Sequence, residues 1–484
     1  MQNYKMWIGG EWVDAESGKT FPSYNPATEE VIAQVPAGDA ADVDKAVKAA
    51  RKALPIWSRK SPEERSQILY RIADAIRSHA RELAELDVIS HGSPTKTALI
   101  KVMLGPKGFE YTAQMSRSLL KGDMIQSDSN TLFFLKREPM GVCALILPWN
   151  SPLLGATMAI SNALATGNAC IVKPPTFSCL TVLKLGEILE KMDLPAGLVN
   201  IVTGFGSTAG EALVSHPGVD MVSFTGSCET GKRIMSCASK TVKPVQLELG
   251  GKNPFIVLED ADINAAAARG VATLFNNTGM SCTSPGRFYV HEKIYDQFIT
   301  EFINGAEKIV TGDPQDPQTD MGPVVSAEHR DRVEGYIKSG IDEGATLLLG
   351  GKRPTTPPMN KGYYIMPTIF SNVTQNMKIA REEIFGPVAV ILKFSSEDEV
   401  IDLANDTTFG LASSVWTRDS AKGLRMANEI QAGTVWVNNH QISGLDVPWG
   451  GYKESGIGKV NYSLGLEEFL NIKAISLDLK PIQK

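Results

Sequence analysis

Short apolar runs alternate with helical periods from residue 142 to 249, and again from 255 to 438. No other feature constrains the fold as much. Runs at 142–147, 170–172, 199–202, 221–224 and 245–249 read as strands, with helices at 181–191, 209–215 and 229–238 between them. A continuous apolar run has no polar face for water, so such strands belong in a parallel sheet covered by helices on both sides. The second series places strands at 255–258, 287–290, 346–349, 388–394 and 434–438, and helices at 263–275, 295–308, 327–343, 397–406 and 420–430. The expected class is α/β, with two doubly wound domains meeting near residue 250. The first comprises residues 1–120 and 141–250, the second 251–465.

Two further segments stand outside these domains. Strands near 122–127 and 131–137 form an excursion within 121–140, and the tail at 466–484 alternates like an edge strand from 472 to 479. A terminal edge strand needs a partner, so these segments are read as an oligomerisation element of a dimer or tetramer. Helices are expected at 39–54, capped by Asp39, and at 62–90, where Ser61, Pro62, Glu63 and Glu64 form a helix start. No charge occurs from Gly141 to Val172. Pro148, Asn150, Pro152, Asn162, Gly167 and Asn168 interrupt that stretch too often for a membrane span, so it reads as strand, loop and buried helix.

The 484 residues carry a net charge of −6 and no long basic run, which argues against nucleic acid as a partner. The six cysteines form no CxxC pair and have no histidine at zinc-ligand spacing, so no metal site is expected. That usage fits a reducing cytoplasm. The first residues, Met1 to Trp7, lack the apolar core of a signal peptide.

Cys143, Cys170 and Cys179 lie in or beside apolar runs and read as small core residues, and Cys228 and Cys237 flank a helix. Cys282 differs, lying in a loop of small neutral residues, Asn276-Asn277-Thr278-Gly279-Met280-Ser281-Cys282-Thr283. Upstream, Glu248 ends an apolar run just before Leu249-Gly250-Gly251-Lys252. A thiol and a carboxylate on either side of a domain seam suggest a nucleophile and a base that activates water, against the blander reading of a core thiol and a paired structural acid. Phe224-Thr225-Gly226-Ser227 and the turn from Gly204 through Gly206 to Gly210 offer backbone N–H groups to a phosphate, although neither matches the strict dinucleotide fingerprint. Lys173 puts a cation at the carboxyl end of a strand, and Pro148-Trp149-Asn150 ends another with an amide able to donate to an oxyanion.

In order along the chain, Pro148-Trp149-Asn150, Lys173-Pro174, Phe224-Thr225-Gly226-Ser227, Glu248-Leu249-Gly250-Gly251-Lys252, Gly279 to Cys282, Glu382-Glu383-Ile384-Phe385-Gly386-Pro387 and Pro448-Trp449-Gly450-Gly451-Tyr452-Lys453-Glu454-Ser455-Gly456 resemble the aldehyde dehydrogenase superfamily, hydrolytic type. The resemblance covers essentially the whole chain. It implies a Rossmann-like cofactor domain and a catalytic domain. It also implies that Cys282 attacks an aldehyde, that the Asn150 amide and the Cys282 N–H hold the oxyanion, and that Glu248 activates the water that hydrolyses the thioester. The cofactor, NAD or NADP, would be held by Pro148, Trp149, Lys173, Thr176, Gly206, Phe224, Thr225, Gly226, Ser227, Leu249, Gly250, Glu383 and Phe385. Ser151, Met158, Ser281, Thr283, His440, Gln441 and Trp449 would line the aldehyde pocket, with His440 open to the alternative of a hydrogen-bonded loop histidine.

The chain departs from the family pattern at three places. Thr176 stands where members preferring NAD usually carry glutamate, and a hydroxyl can bond a 2′-phosphate that a carboxylate would repel. Val460 follows Lys459 where many members have a second glutamate, so Glu248 is expected to work alone. Met280 and Ser281 replace the usual residues before the nucleophile. The competing functions are a CoA-acylating relative, against which Glu248 speaks, and a non-catalytic binding protein, which has no physical need for Cys282, Glu248 and Asn150 together.

Overall fold

The computed structural model describes residues 2–442 and 444–480. Two large sheets dominate it. The first has eight strands, ordered Gly456–Ile457, Val245–Glu248, Met221–Thr225, Val142–Ile146, Ala169–Lys173, Val199–Ile201, Met6–Ile8 and Glu11–Val13. The five from Val245–Glu248 to Val199–Ile201 run parallel, and the three outer strands are antiparallel to their neighbours. All residues of Val142–Ile146 and Ala169–Lys173 are buried, as their uncharged runs require. Each fully buried Val, Leu or Ile there contributes about 1.5–3 kcal/mol.

The chain order of these parallel strands reverses at Val142–Ile146, which has its successor Ala169–Lys173 on one side and Met221–Thr225 on the other. A crevice opens outside the carboxyl ends of such strands, and ligands of open α/β sheets bind there.

The second sheet has seven strands, ordered Thr346–Leu349, Thr368–Ser371, Val388–Phe394, Pro285–His291, Asn253–Val257, Ala412–Trp416 and Thr434–Val437. All pairs are parallel except the first. The strand carrying Glu248 belongs to one sheet, and five residues later the chain enters the other at Asn253. A third, antiparallel sheet joins the tail strand Leu470–Asp478 to Thr131–Pro139 and then to Asp123–Gln126. Its outer strands expose Met124, Ile125, Ile472, Ile475 and Leu477.

Several elements differ from the sequence reading. The helix expected over 62–90 divides at His79 into Pro62–Ser78 and Ala80–His91. Its start holds as expected: Ser61 Oγ accepts from Glu64 N–H at 3.2 Å, and the Glu64 carboxylate accepts from Ser61 N–H at 2.7 Å. A 25-residue helix absent from that reading, Thr95–Leu119, passes through Gly105, Pro106 and Gly108. The helix needs these glycines because Pro152–Ala165 packs closely on it. A Cβ at Gly105 would sit 3.0 Å from Thr157, and one at Gly108 would sit 2.7 Å from Met158. Ala412–Trp416 is a central strand in spite of two serines, whose hydroxyls find partners in the Pro254 carbonyl and His440. Among the described residues no helix is long and apolar enough to cross a membrane.

Candidate active site

Glu248 terminates its strand at the carboxyl edge of the first sheet, and Cys282 lies on the loop leading into the second sheet's Pro285–His291. That loop is wound tightly. Asn277, Thr278 and Gly279 take φ values of +50°, +57° and +73° in succession. At Gly279 only a glycine fits, because a Cβ would lie 2.1 Å from the Gly386 carbonyl oxygen. The loop therefore rests directly on the segment Glu382 to Pro387. From the other side Asn253 Nδ2 donates to the carbonyls of Cys282 and Ser284, both at 2.8 Å.

Cys282 is half-buried. Burial raises its thiol above the usual range, and the Glu248 and Glu383 carboxylates raise it further, while the backbone N–H groups of Cys282 and Thr283 pull the other way. Glu248 is buried, and neither carboxylate oxygen has a hydrogen-bond partner. Burial pushes its carboxyl up to about 8, against the Trp449 side chain and the Lys459 charge, which favour ionisation. Trp449 approaches the carboxylate without bonding geometry, since both oxygens remain unpaired. An unpaired buried carboxyl costs stability, so its retention calls for a chemical reason.

Asn150 follows the strand Val142–Ile146, and its Nδ2 donates to the Met280 carbonyl at 3.0 Å. An amide nitrogen carries two hydrogens, so one holds the Cys282 loop and a second is left over. Ser151 bonds the Asn150 carbonyl through its hydroxyl, at 2.8 Å. Ser281 and Thr283 bond each other through their hydroxyls at 3.1 Å, flanking the cysteine. Met158 lies between Pro152–Ala165 and the glycines of Thr95–Leu119, half-buried. Gln441 adopts φ +58°, and Trp449 stacks obliquely with Trp436 at 6.3 Å.

His440 is wholly buried. Its Nε2 meets the Thr283 carbonyl at 2.8 Å and its Nδ1 meets Ser414 Oγ at 3.1 Å. Burial holds it neutral, with its pKa lowered to about 4. Both ring nitrogens are thus engaged, and the ring braces the Cys282 loop at Thr283.

The crevice of the first sheet gathers the residues expected to meet a cofactor. Lys173 is buried, and its one hydrogen bond given among the described residues is to the Pro174 carbonyl, at 2.7 Å. Burial lowers its pKa to about 8. Gly206 opens a tight turn over Gly206–Gly210, and a Cβ at Gly210 would lie 3.5 Å from Lys173 Cδ. Thr176 is half-buried in the loop after that lysine's strand. Ser227 caps the helix Cys228–Ala238 by accepting from Thr230 N–H. Between the turn and that helix lies a mainly apolar cleft of about 60 Å³, lined by Ile146, Gly206, Gly210, Val214, Arg233 and Ile234 among others. A flat apolar group fits there, with helix starts and a cation near its mouth.

Thr225 lies beside Glu248 in register, and Gly226 N–H donates to the Glu248 carbonyl at 3.0 Å. The Phe224 ring folds against Gly226, where a Cβ would lie 2.3 Å from it. Leu249 N–H donates to the Ser455 carbonyl. Glu383 reaches across to accept from Gly251 N–H at 2.9 Å, and a Cβ at Gly250 would lie 2.3 Å from its carboxylate. Burial raises Glu383 to about 7, with the Gly251 N–H opposing. Phe385 meets Trp149 edge to face at 5.1 Å. His329, which carried no signal in the sequence, completes that aromatic group by donating to the Phe385 carbonyl at 2.7 Å and packing 4.9 Å from Trp149. Pro148 precedes this group on the loop, in contact range of a Cβ at Gly155. No group of three or more His, Cys, Asp and Glu able to hold a metal occurs among the described residues.

The profile of the Aldehyde dehydrogenase family matches residues 12–475, and the chain belongs to that family. It is 41% identical over 482 residues to a betaine aldehyde dehydrogenase of Bacillus subtilis (strain 168), covering 98% of each chain. It is 42% identical to the mouse (Mus musculus) cytosolic aldehyde dehydrogenase 1, over 99% of this chain and 96% of the other. Among solved structures it resembles the betaine aldehyde dehydrogenase of Staphylococcus aureus in complex with NAD+, with a TM-score of 0.97, 38% identity, and coverage of 99% and 96%. It also resembles a 3,6-anhydro-L-galactose dehydrogenase in complex with NADP, with a TM-score of 0.96, 39% identity, and coverage of 98% and 100%. Three of these four relatives carry the name aldehyde dehydrogenase.

Proposed function

We propose that the chain oxidises an aldehyde to its carboxylic acid with NAD or NADP, through an acyl group carried on Cys282. The observation that carries this reading is the buried, unpartnered Glu248, whose charge reaches the Cys282 sulfur across the seam. Residues 1–120 and 141–250 form the dinucleotide-binding part and 251–465 the catalytic part, with Gly456–Ile457 returning to edge the first sheet beside Glu248.

The residues present fit a dinucleotide. The apolar cleft suits the adenine, Lys173 has ammonium hydrogens left for ribose hydroxyls, and Ser227 and the Gly206 turn suit the phosphates. Glu383 suits the second ribose, with Phe385 and Trp149 beside the nicotinamide and Phe224 to Gly226, Leu249 and Gly250 forming the backbone wall. Relatives bound to NAD+ and to NADP both support leaving the preference open, and Thr176 is compatible with either. When bound, the nicotinamide supplies the acceptor for the hydride that the aldehyde carbon gives up.

The protein's own part is as follows. Cys282 Sγ, having lost its proton, bonds to the carbonyl carbon. The oxygen that gains the electron pair lies against the free Asn150 amide hydrogen and the Cys282 N–H. A neutral amide stabilises that charge without opposing a cationic ring. The resulting thioester keeps its acyl reactivity. Glu248 in its ionised form takes a proton from water as the water oxygen attacks the acyl carbon, and the carbon–sulfur bond breaks to restore Cys282. Ser151, Met158, Ser281, Thr283, Gln441 and Trp449 shape the aldehyde's place, with His440 bracing Thr283 from behind. The apolar outer strands near 121–140 and 466–484 support a homo-oligomer, and the composition supports a cytoplasmic setting. The reading is tested by product analysis: acid formed from aldehyde and dinucleotide without CoA supports it, and dependence on CoA refutes it.

A further inference from the structure

A largely buried polar cluster contacts Asn150, and the chemistry above does not use it. Lys101, on the helix Thr95–Leu119, sends its ammonium to Asn277 Oδ1 at 2.6 Å, Ser93 Oγ at 2.9 Å and the Asn150 carbonyl at 3.4 Å. Ser93 and Asn277 are both buried. Asn277 Nδ2 in turn donates to the Asn150 carbonyl at 3.1 Å and to the Met280 carbonyl at 2.9 Å. The Met280 carbonyl is also the acceptor for the Asn150 amide. Asn277 thus ties the oxyanion donor to the nucleophile's loop.

An amide can face either way, and here Lys101 on one side and two backbone carbonyls on the other fix its direction together. An ammonium only donates, so the amide oxygen must face it and the NH₂ must face the two carbonyls. With the ammonium gone, the amide oxygen is left without its buried donor, and the loop loses one of the bonds that hold three consecutive left-handed residues in place. We propose that Lys101 is a positioning residue for this active site: its charged ammonium locks the Asn277 amide, and through it the register of Asn150 with Cys282. The inference rests on the aldehyde-oxidising reading given above.

The groups around Lys101 make its charge conditional. The titratable residues facing it are Asp87 and His91, both on Ala80–His91. Burial holds His91 neutral, its Nδ1 meeting Ser93 Oγ at 2.8 Å. Asp87 is buried and raised by that burial, and its charge opposes the effect of burial on Lys101 only in part. Pro152–Ala165 packs on the same helix and has no charged residue. Pro62–Ser78 and its start meet that helix further along, through Arg77 with Glu110 and Glu63 with Arg117, and Tyr462 of the helix Tyr462–Glu467 faces Tyr111. Burial therefore prevails, and the Lys101 pKa falls to about 8. The lock is present below that pH and is lost above it.

The experiment measures kcat against pH at saturating aldehyde and dinucleotide, for the parent and for Lys101→Met and Lys101→Arg. The parent is expected to gain kcat as Glu248 ionises and to lose it again as Lys101 gives up its proton, so that its profile peaks near pH 8 and falls beyond it. Lys101→Met is expected to lower kcat at neutral pH at least about tenfold, with aldehyde KM and dinucleotide affinity within about threefold, and to remove the falling limb. Lys101→Arg keeps a charge at all accessible pH, so its falling limb moves beyond pH ~10 and its neutral kcat exceeds that of the Met variant. Parental kcat in Lys101→Met, or a falling limb unmoved in either variant, overturns the proposal. If the Met variant does not fold, the Arg variant decides alone. A parent with no turnover at any pH counts against the aldehyde-oxidising reading, whereas an active parent beside an indifferent Lys101→Met counts against the lock only.

Discussion

Replacing Glu248 by Gln keeps the size of the side chain while removing both the base and the titration. In an unfolded chain the glutamate ionises near 4.5, whereas the folded Glu248 keeps its proton to about 8. Between those pH values the native state holds the extra proton, so raising the pH withdraws stability from the parent. The gap corresponds to about 5 kcal/mol at about 1.4 kcal/mol per pH unit, as an upper bound. Glu248→Gln cannot titrate and escapes that loss. At about 2 cal/mol/K per residue for the 484 residues, the unfolding entropy is about 1 kcal/mol/K, so the difference is worth up to about 5 °C. Melting temperatures followed by circular dichroism should show the variant gaining on the parent from pH 5 to pH 8 and holding its lead above. Kinetically, loss of the base should cut steady-state turnover about 10²–10⁴-fold while leaving a first burst of reduced nicotinamide close to the number of sites. A stability difference that does not move with pH, or a variant that turns over at the parental rate, would refute the assignment of Glu248 as a buried base.

Gly279→Ala forces a Cβ onto the Gly386 carbonyl at a left-handed position, so it should destabilise the protein by about 3 kcal/mol or more and abolish turnover, read by thermal melting and activity together. Thr176→Glu should lower kcat/KM for NADP at least about tenfold while changing NAD little, because a carboxylate there repels the 2′-phosphate. Removing the tail strand by ending the chain after Phe469 exposes the strand Thr131–Pro139 along its whole length, and light scattering should then find monomers or aggregates instead of a defined oligomer.

Much of this architecture was readable where a single local signal decides the outcome. The strands Val142–Ile146 and Val388–Phe394 follow from apolar runs, and the start at Ser61 from its hydroxyl and the Glu64 carboxylate. The helix Thr95–Leu119 was hidden because Gly105 and Gly108 serve a neighbouring helix rather than their own. Ala412–Trp416 was hidden because its serines are satisfied by partners far away in sequence. The hairpin Met6–Ile8 and Glu11–Val13 was missed because its strands are only three residues long and become strands by pairing with Val199–Ile201. In the site, Cys282 and Glu248 stood out because a thiol in a polar loop and an acid in an apolar strand are locally anomalous. Lys101 and His329 were not legible, since each is an ordinary residue on an ordinary helix until the fold brings it against Asn277 or Phe385.

The most direct test of the central claim follows near-UV absorbance of reduced nicotinamide for the parent and Cys282→Ala. Each protein is given a panel of aliphatic, aromatic and hydroxylated aldehydes with NAD and with NADP. The account predicts turnover by the parent with at least one aldehyde, and none by Cys282→Ala even though that variant still binds the dinucleotide. Turnover that survives in Cys282→Ala would contradict it.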